Sequence, residues 1–372
     1  MKPSSNLFTA EMIAPCGLDC SLCKRALAET DPCAGCHGPN ENKPEFCSGK
    51  CGIILCPKRK ENGYAFCDEC ADYPCEDVME KETRYASKYP LWESPLQNLR
   101  LIREAGMDVF LRNEREQWTC GACGGGISVH TGLCSGCGKP YGVQVSQDVK
   151  SENEKRLDLR NVYFVIGTSY AGKSTVVKNL ARKHRGIALE ENYHDAKLPE
   201  LDSSEFPNLT YTRDLQDWHE FIRRTPDEYV TWLQDVKKEC EIVELRMIAE
   251  LLEKPEARGK KIFVDTNICV ETLHRISDPQ HVLVMLSDPE LGIHRFFDRP
   301  DPEKQFLYQL MLEEPDPQAA LDNYREILTR VCSRESYNEL LHSGFRVLLR
   351  DEDRTQEETV RLAEAVFGIT AD

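Results

Sequence analysis

The second half of the chain alternates short apolar runs with longer stretches of helical spacing. The runs are "VYFVIG" (162–167), "GIALEE" (186–191), "KIFVDT" (261–266), "HVLVML" (281–286) and "FRVLLR" (345–350). Strand-length apolar runs separated by helical patterns predict a parallel sheet covered by helices on both faces, an α/β domain. One of the helical patterns is a long stripe through Tyr229, Leu233, Val236, Cys240, Val243, Met247 and Leu251. Spacings of three and four place these residues on one face, so Cys240 reads as core, as does the nearby Trp232. The last run precedes an amphipathic pattern that reads as a C-terminal helix.

The first half has a different texture. Its one clear helical stretch places Leu96, Leu99, Ile102, Val109 and Phe110 at helical spacing, and Gly106 divides it into two short helices. Around it stand cysteines. Of 18 in the chain, fifteen precede residue 138. Tyr141 to Arg160 is polar, charged and poor in large apolar side chains, which marks a boundary. The expected organisation is a cysteine-rich metal-binding domain over 1–115, a zinc ribbon over 116–145, a linker over 146–160 and an α/β domain over 161–372.

Charge narrows the partners. Residues 1–150 carry 17 Lys and Arg against 20 Asp and Glu, and the remainder 30 against 43, for a net −16. Such a chain has no global attraction for nucleic acid or anionic lipid. Small metal-complexed anions fit better. The start "MKPSSNLFTAEMIAPCG" lacks an apolar core and a small-residue cleavage site, and no apolar stretch reaches membrane-spanning length. A cytoplasmic protein is expected, and in a reducing compartment clustered cysteines read as metal ligands rather than disulfides.

Two pairs are clearest: Cys120 and Cys123 in "CGAC", then Cys134 and Cys137 in "CSGC". A two-residue gap lets both sulfurs of a pair reach one ion, and two pairs complete a tetrahedron, so a structural Zn²⁺ is expected. The other eleven are Cys16, Cys20, Cys23, Cys33, Cys36, Cys47, Cys51, Cys56, Cys67, Cys70 and Cys75. Further zinc ions are the expected occupants, with an iron–sulfur cluster as the alternative, since soft thiolates serve both. How these eleven pair is open. His37 and His130 could add ligands, but sulfur already suffices without them.

The order "CGLDCSLCK", "CAGC", "CSGKCGIILC", "CDECADYPCE", a helical stretch and then "WTCGACGGGISVHTGLCSGC" resembles an uncharacterised cysteine-rich, zinc-finger-like family of unknown function. The resemblance covers about residues 12–140. It implies a fold and no reaction.

Gly167–Ser174 reads G-x-x-x-x-G-K-S, the P-loop pattern, with a strand before it and a helix after. In that pattern the backbone of Gly167, Thr168, Ser169, Tyr170, Ala171 and Gly172 cradles phosphate. Lys173 reaches the β- and γ-phosphates, the Ser174 hydroxyl ligates Mg²⁺, and Thr175 continues the helix start. Tyr170 and Ala171 depart from the small residues common in such loops, which leaves the preferred nucleotide open. Residues 161–368 as a whole resemble P-loop kinases of nucleosides, nucleotides and other small molecules. The resemblance implies ATP and Mg²⁺ as cofactors and a set of roles. Asp265, ending the third run, would hold Mg²⁺ directly or through water, or else cap the next helix. Asp195 or Glu191, after the second run, would orient the acceptor, or else form a solvated acidic loop. The aromatic and arginine-rich segment 207–236 would cap the acceptor pocket. Arg295 and Arg299 would close a lid on the transferring phosphoryl group.

The sequence therefore points to an ATP- and Mg²⁺-dependent kinase with a small-molecule acceptor, carrying a zinc-bound module for scaffold or recognition. The alternative is a nucleotide-gated zinc protein that contacts nucleic acid or protein. No guanine-selecting N-K-x-D string occurs. Acceptor and oligomeric state are not legible.

Overall fold

The computed structural model describes residues 7–141, 157–297 and 302–370. They divide into two compact units, the first holding 7–141, 341–347 and 357–370, the second 157–297, 302–340 and 348–356. The helix Gln356–Phe367, expected to close the α/β domain, thus groups with the first unit. Most of the linker lies outside the described residues. Among the described residues no helix is long and apolar enough to cross a membrane.

In the first unit, three helices frame the cysteine-bearing loops: α1 (Glu76–Lys88), α2 (Pro95–Ala105) and α3 (Met107–Trp118). The Ser94 hydroxyl caps α2 by accepting from the Gln97 amide, and Pro95 occupies its first turn. Gly106 separates α2 from α3 at φ +82°, a conformation glycine adopts at little cost, so the expected break is where the sequence places it. Phe8, Leu22, Leu91, Trp118, Ile127 and Val129 form one core cluster. Ala14, Leu18, Ile53 and Val78 form another, with Cys16 and Cys51 buried among them.

A charged knot lies inside this unit. Arg346 donates to Glu114 Oε1 at 2.5 Å, with the two side chains 4% and 0% exposed. The same guanidinium bonds Asn98, whose amide in turn donates to Gly17 O (2.8 Å) and Glu93 Oε1 (3.2 Å). Burial pushes the Glu114 carboxyl up, and Arg346 offsets part of that. A buried pair of this kind is costly to halve, because one charge is then stranded without solvent.

The sheet has the strands β1 (Val162–Gly167), β2 (Ile187–Leu189), β3 (Ile262–Asp265), β4 (Val282–Leu286) and β5 (Arg346–Leu349), in the order β2-β3-β1-β4-β5; β1 to β4 and the last two residues of β5 belong to the second unit. All five expected strands are present. β1 pairs in parallel with β3 and β4, and β2 with β3. β3 and β4 are buried throughout, which explains why they read as continuous apolar runs rather than alternating ones. The second unit's helices include α4 (Lys173–Lys183), α5 (Pro226–Glu253), α6 (Val270–Ile276), α7 (Pro289–His294), α8 (Pro302–Leu312) and α9 (Pro317–Val331). Thr225 and Glu228 form a capping box at the start of α5. From β1 the chain reaches the edge at β2, returns through β3 and then crosses to β4. The order reverses beside β1, and at such a point the carboxyl ends of the strands leave a crevice.

Arg346→Met should lower unfolding free energy by roughly 3–5 kcal/mol by stranding Glu114. Arg346→Met combined with Glu114→Leu should recover most of that loss, as read by chemical denaturation.

Candidate functional site

β1 runs into the loop 167–172, and α4 begins directly after it. Gly167 has φ +143°, and a Cβ there would stand 1.8 Å from Met285 O, so no other residue fits. Gly172 (φ +93°) lets the loop turn into the helix. Tyr170 also has positive φ (+64°), an unusual state for a bulky residue. It is braced: its hydroxyl donates to Arg295 O, and its carbonyl accepts from Arg350. Further along the loop, the Thr168 amide donates to Met285 O (3.1 Å), the Ser287 hydroxyl to Ser169 O (2.6 Å) and the Ser287 amide to Thr168 Oγ1 (2.7 Å). The loop is thus held by the carboxyl end of β4.

Lys173 and Ser174 open α4 and turn toward β3. The Ser174 hydroxyl donates to Asp265 Oδ2 at 2.7 Å, and Lys173 Nζ lies 3.9 Å from Asp265 Oδ1 while donating to Thr168 O at 3.3 Å. Asp265 is 3% exposed. Burial pushes its carboxyl up, while the Lys173 charge and the Ser174 hydrogen bond pull it down. Three residues named from sequence therefore meet at one point. Ala171 is buried beneath the loop, and Thr175 is exposed on the first turn of α4.

Glu191 and Asp195 lie past β2, both exposed, with the Asp195 side chain 52% accessible. Glu191 is near enough for its charge to raise Asp265. Glu190 is paired with Lys178 (3.1 Å). Between the acids sits buried His194, 2.9 Å from Glu244 Oε1, a fully buried carboxylate of α5. Burial pushes Glu244 up, but bonds from His194, Thr266 and Asn267 outweigh that and hold it below the ordinary value. Glu244 was not singled out from sequence. It shares the buried face of α5 with Cys240, Val243 and Ile248, and an acid on an apolar stripe was the available signal.

The segment expected to cap the acceptor pocket packs as a cluster. Arg224 lies 4.2 Å from the Tyr211 ring centroid and 4.9 Å from that of Trp232, and His219 and Arg223 both bond Glu314. Trp232 and Cys240 sit in core clusters as expected. Arg295 extends its side chain to 3.6 Å from Glu352. Arg299 lies outside the described residues. A cavity of about 460 Å³ opens between α7 and the turn after β5, lined by Asp288, Glu290, Leu291, His294, Arg350 and Glu352.

The second candidate site is in the first unit. The donor atoms of Cys120, Cys123, Cys134 and Cys137 all lie within 4.8 Å of one another. The two knuckles are built alike: Cys120 N–H donates to Gly125 O and Gly124 N–H to Cys120 O, while Cys134 N–H donates to Lys139 O and Gly138 N–H to Cys134 O. Gly124 and Gly138 adopt φ +71° and +72°. Cys120–Cys137 and Cys123–Cys134 sulfur separations are 3.7 and 3.4 Å. A tetrahedron with Zn–S bonds of about 2.3 Å has edges of about 3.8 Å, so the cage has the size for Zn²⁺. Burial opposes ionisation of Cys120, but hydrogen bonds from Tyr141 and the Ala122 and Cys123 amides outweigh it and draw the thiol down. That favours a thiolate, the form a metal takes.

Of the eleven leading cysteines, Cys20 and Cys36 approach to 3.6 Å, and Cys16, Cys20, Cys36, Cys51, Cys67 and Cys75 pack into the apolar cluster around Ala14 and Val78; among the described residues only the Cys120 quartet brings three or more such donor atoms together. Cys23, Cys33, Cys47, Cys56 and Cys70 are half-buried. His37 Nε2 contacts Ile13 O, and His130 is held by the Lys24 amide and Tyr85 hydroxyl. Both rings thus have protein partners.

Residues 12–80 match a family model described as "Protein of unknown function (DUF3795)". The matched stretch contains all eleven leading cysteines and ends before the Cys120 quartet, short of the 12–140 span the sequence suggested. No curated protein and no solved structure matches the chain.

Zn²⁺ should bind the ribbon stoichiometrically. Cys134→Ser should cost one equivalent of metal by elemental analysis, and a strong chelator should lower the melting temperature of the full chain.

Proposed function

We propose that this protein is an ATP- and Mg²⁺-dependent P-loop phosphotransferase acting on a small-molecule acceptor, with zinc bound in its cysteine-rich module. The observation that carries the reading is the contact of Ser174 with Asp265 at 2.7 Å, beside Lys173. A hydroxyl and a carboxylate placed together at the mouth of a glycine-bearing loop are a donor set that would hold Mg²⁺. Bound there, Mg²⁺ would neutralise charge on the β- and γ-phosphates.

The chain's own residues would do the rest. Loop amides beyond Thr168, whose own N–H is taken by Met285 O, and those of the first turn of α4 would offer donors to the β-phosphate, and the helix dipole would add to their attraction. Lys173 exchanges its contacts with Thr168 and Asp265 for phosphate oxygens. In the transfer, a bond forms between the acceptor oxygen and the γ-phosphorus, and the bond from that phosphorus to the β,γ-bridging oxygen breaks. Its electron pair leaves with ADP. The acceptor's hydroxyl proton passes to the carboxylate of Asp195 or Glu191 and then to solvent. Arg295, and Arg299 beyond it, would shield the developing charge. The cavity beside α7 has room and polar groups for the nucleoside end of ATP. The Cys120 quartet, closed by four sulfurs, serves as a structural site with no open position for chemistry. The eleven leading cysteines would hold further ions.

Lys173→Ala should abolish nucleotide turnover and leave the metal content unchanged. With γ-labelled ATP and a panel of nucleosides, nucleotides and other hydroxylated metabolites, label should move to an acceptor. Release as free phosphate alone, whatever acceptor is added, would favour the nucleotide-gated alternative.

A further inference from the structure

Two carboxylates, Asp195 and Glu191, compete for the acceptor-side role, and they differ in what stands behind them. The His194 ring, 5% exposed, lies between two acids: Nδ1 is 2.9 Å from Glu244 Oε1, and Nε2 is 3.5 Å from Asp195 Oδ1. Cys240 Sγ lies 3.4 Å from the same Nε2. Glu244 also accepts from the Thr266 hydroxyl (2.5 Å), the Asn267 amide (3.0 Å) and the Asn267 side chain (3.1 Å). Thr266 and Asn267 directly follow Asp265. An ionised carboxylate can only accept, so Glu244 fixes a proton on Nδ1 and sets the plane of the ring, and Nε2 holds the Asp195 carboxylate only when it too carries a proton, as an imidazolium between two carboxylates. One residue of α5 thereby ties the loop after β2 to the loop after β3. Among the described residues no comparable strut stands behind Glu191, whose neighbour Glu190 pairs with an exposed lysine instead.

We propose that His194 and Glu244 are positioning residues, which hold the Asp195 carboxylate at a fixed place relative to Asp265 and make Asp195 the acceptor-side carboxylate. The proposal rests on the phosphotransferase reading. Its physical content is that a carboxylate half open to solvent would otherwise sample several rotamers. Displacement of a reacting group by an ångström costs rate without costing affinity for ATP.

The test uses the full chain, Mg-ATP as substrate and water as acceptor, with phosphate release as the readout. In His194→Asn, the side-chain amide stands where Nδ1 stood, so Glu244 keeps a donor while Asp195 loses its contact. Turnover should fall on the order of 10- to 100-fold with KM for ATP and melting temperature unchanged. Asp195→Asn should fall comparably, and the two together should fall no further. Wild-type turnover in His194→Asn, or combined losses that multiply, would overturn the proposal, since a merely structural histidine is rescued by the substitution that satisfies Glu244. A second readout needs no nucleotide. In ¹⁵N spectra of the imidazoles, assigned by loss of a signal in His194→Asn, the His194 Nε2 resonance should move in Asp195→Asn. A resonance that stays put would sink the relay. Wild-type protein without any ATP turnover, either to water or to the acceptor panel, would sink the phosphotransferase reading instead, and the spectrum alone would then decide whether the relay exists.

Discussion

One hydrogen bond, from the Ser174 hydroxyl to the Asp265 carboxylate, joins the two elements on which the proposed chemistry of the second unit depends. It can form only because β1 and β3 are adjacent and parallel, with Val165 in register with Asp265. The first turn of α4 is thereby placed over the carboxyl end of β3. Adjacency in turn requires that β2 not lie between them, and β2 lies on the far side of β3. The parallel sheet exists, in this view, to deliver one hydroxyl, one carboxylate and one ammonium to a common point. The loop that delivers them is itself restrained by β4, through Met285 and Ser287.

The first unit solves a different problem by different means. A segment rich in short loops has little apolar surface to bury, and a cage of four sulfurs that could hold a metal ion would substitute for a larger core. Around the Cys120 quartet the two knuckles repeat one hydrogen-bond pattern, so that four sulfurs converge even though ten residues separate the pairs. Hydrogen bonds hold the backbone in the shape that a tetrahedral ion needs. Elsewhere in the same unit, Arg346 and Glu114 form a buried pair, in which either charge alone would be left without a counter-charge or solvent.

Local signals were legible in the sequence and distant partnerships were not. The five strands were readable because each is a compact apolar run bounded by polar or glycine residues, and the Gly106 break and the ribbon's spacing were equally local. Gly167 and Lys173 were visible as a motif, and Asp265 as the polar end of an apolar strand. Glu244 escaped notice because its partners His194, Thr266 and Asn267 lie 50, 22 and 23 residues away in sequence. Arg346 and Glu114, 232 residues apart, were hidden for the same reason. The grouping of the helix Gln356–Phe367 with the cysteine-bearing unit likewise depends on contacts such as Gln97 to Val366 O (2.7 Å), which no local pattern announces. Among the eleven leading cysteines, several pairings satisfy the spacing equally, so composition alone could not choose.

If the loop, Ser174 and Asp265 form a metal–nucleotide site, the affinity for nucleotide must depend on the divalent ion and on that one carboxylate. Titration calorimetry of ATP into the full-length protein, with and without Mg²⁺, is the direct measurement. The account predicts one site per chain, tightened by Mg²⁺ in the native protein and indifferent to Mg²⁺ in Asp265→Asn. No heat of binding, or binding equally strong without the ion, would contradict it.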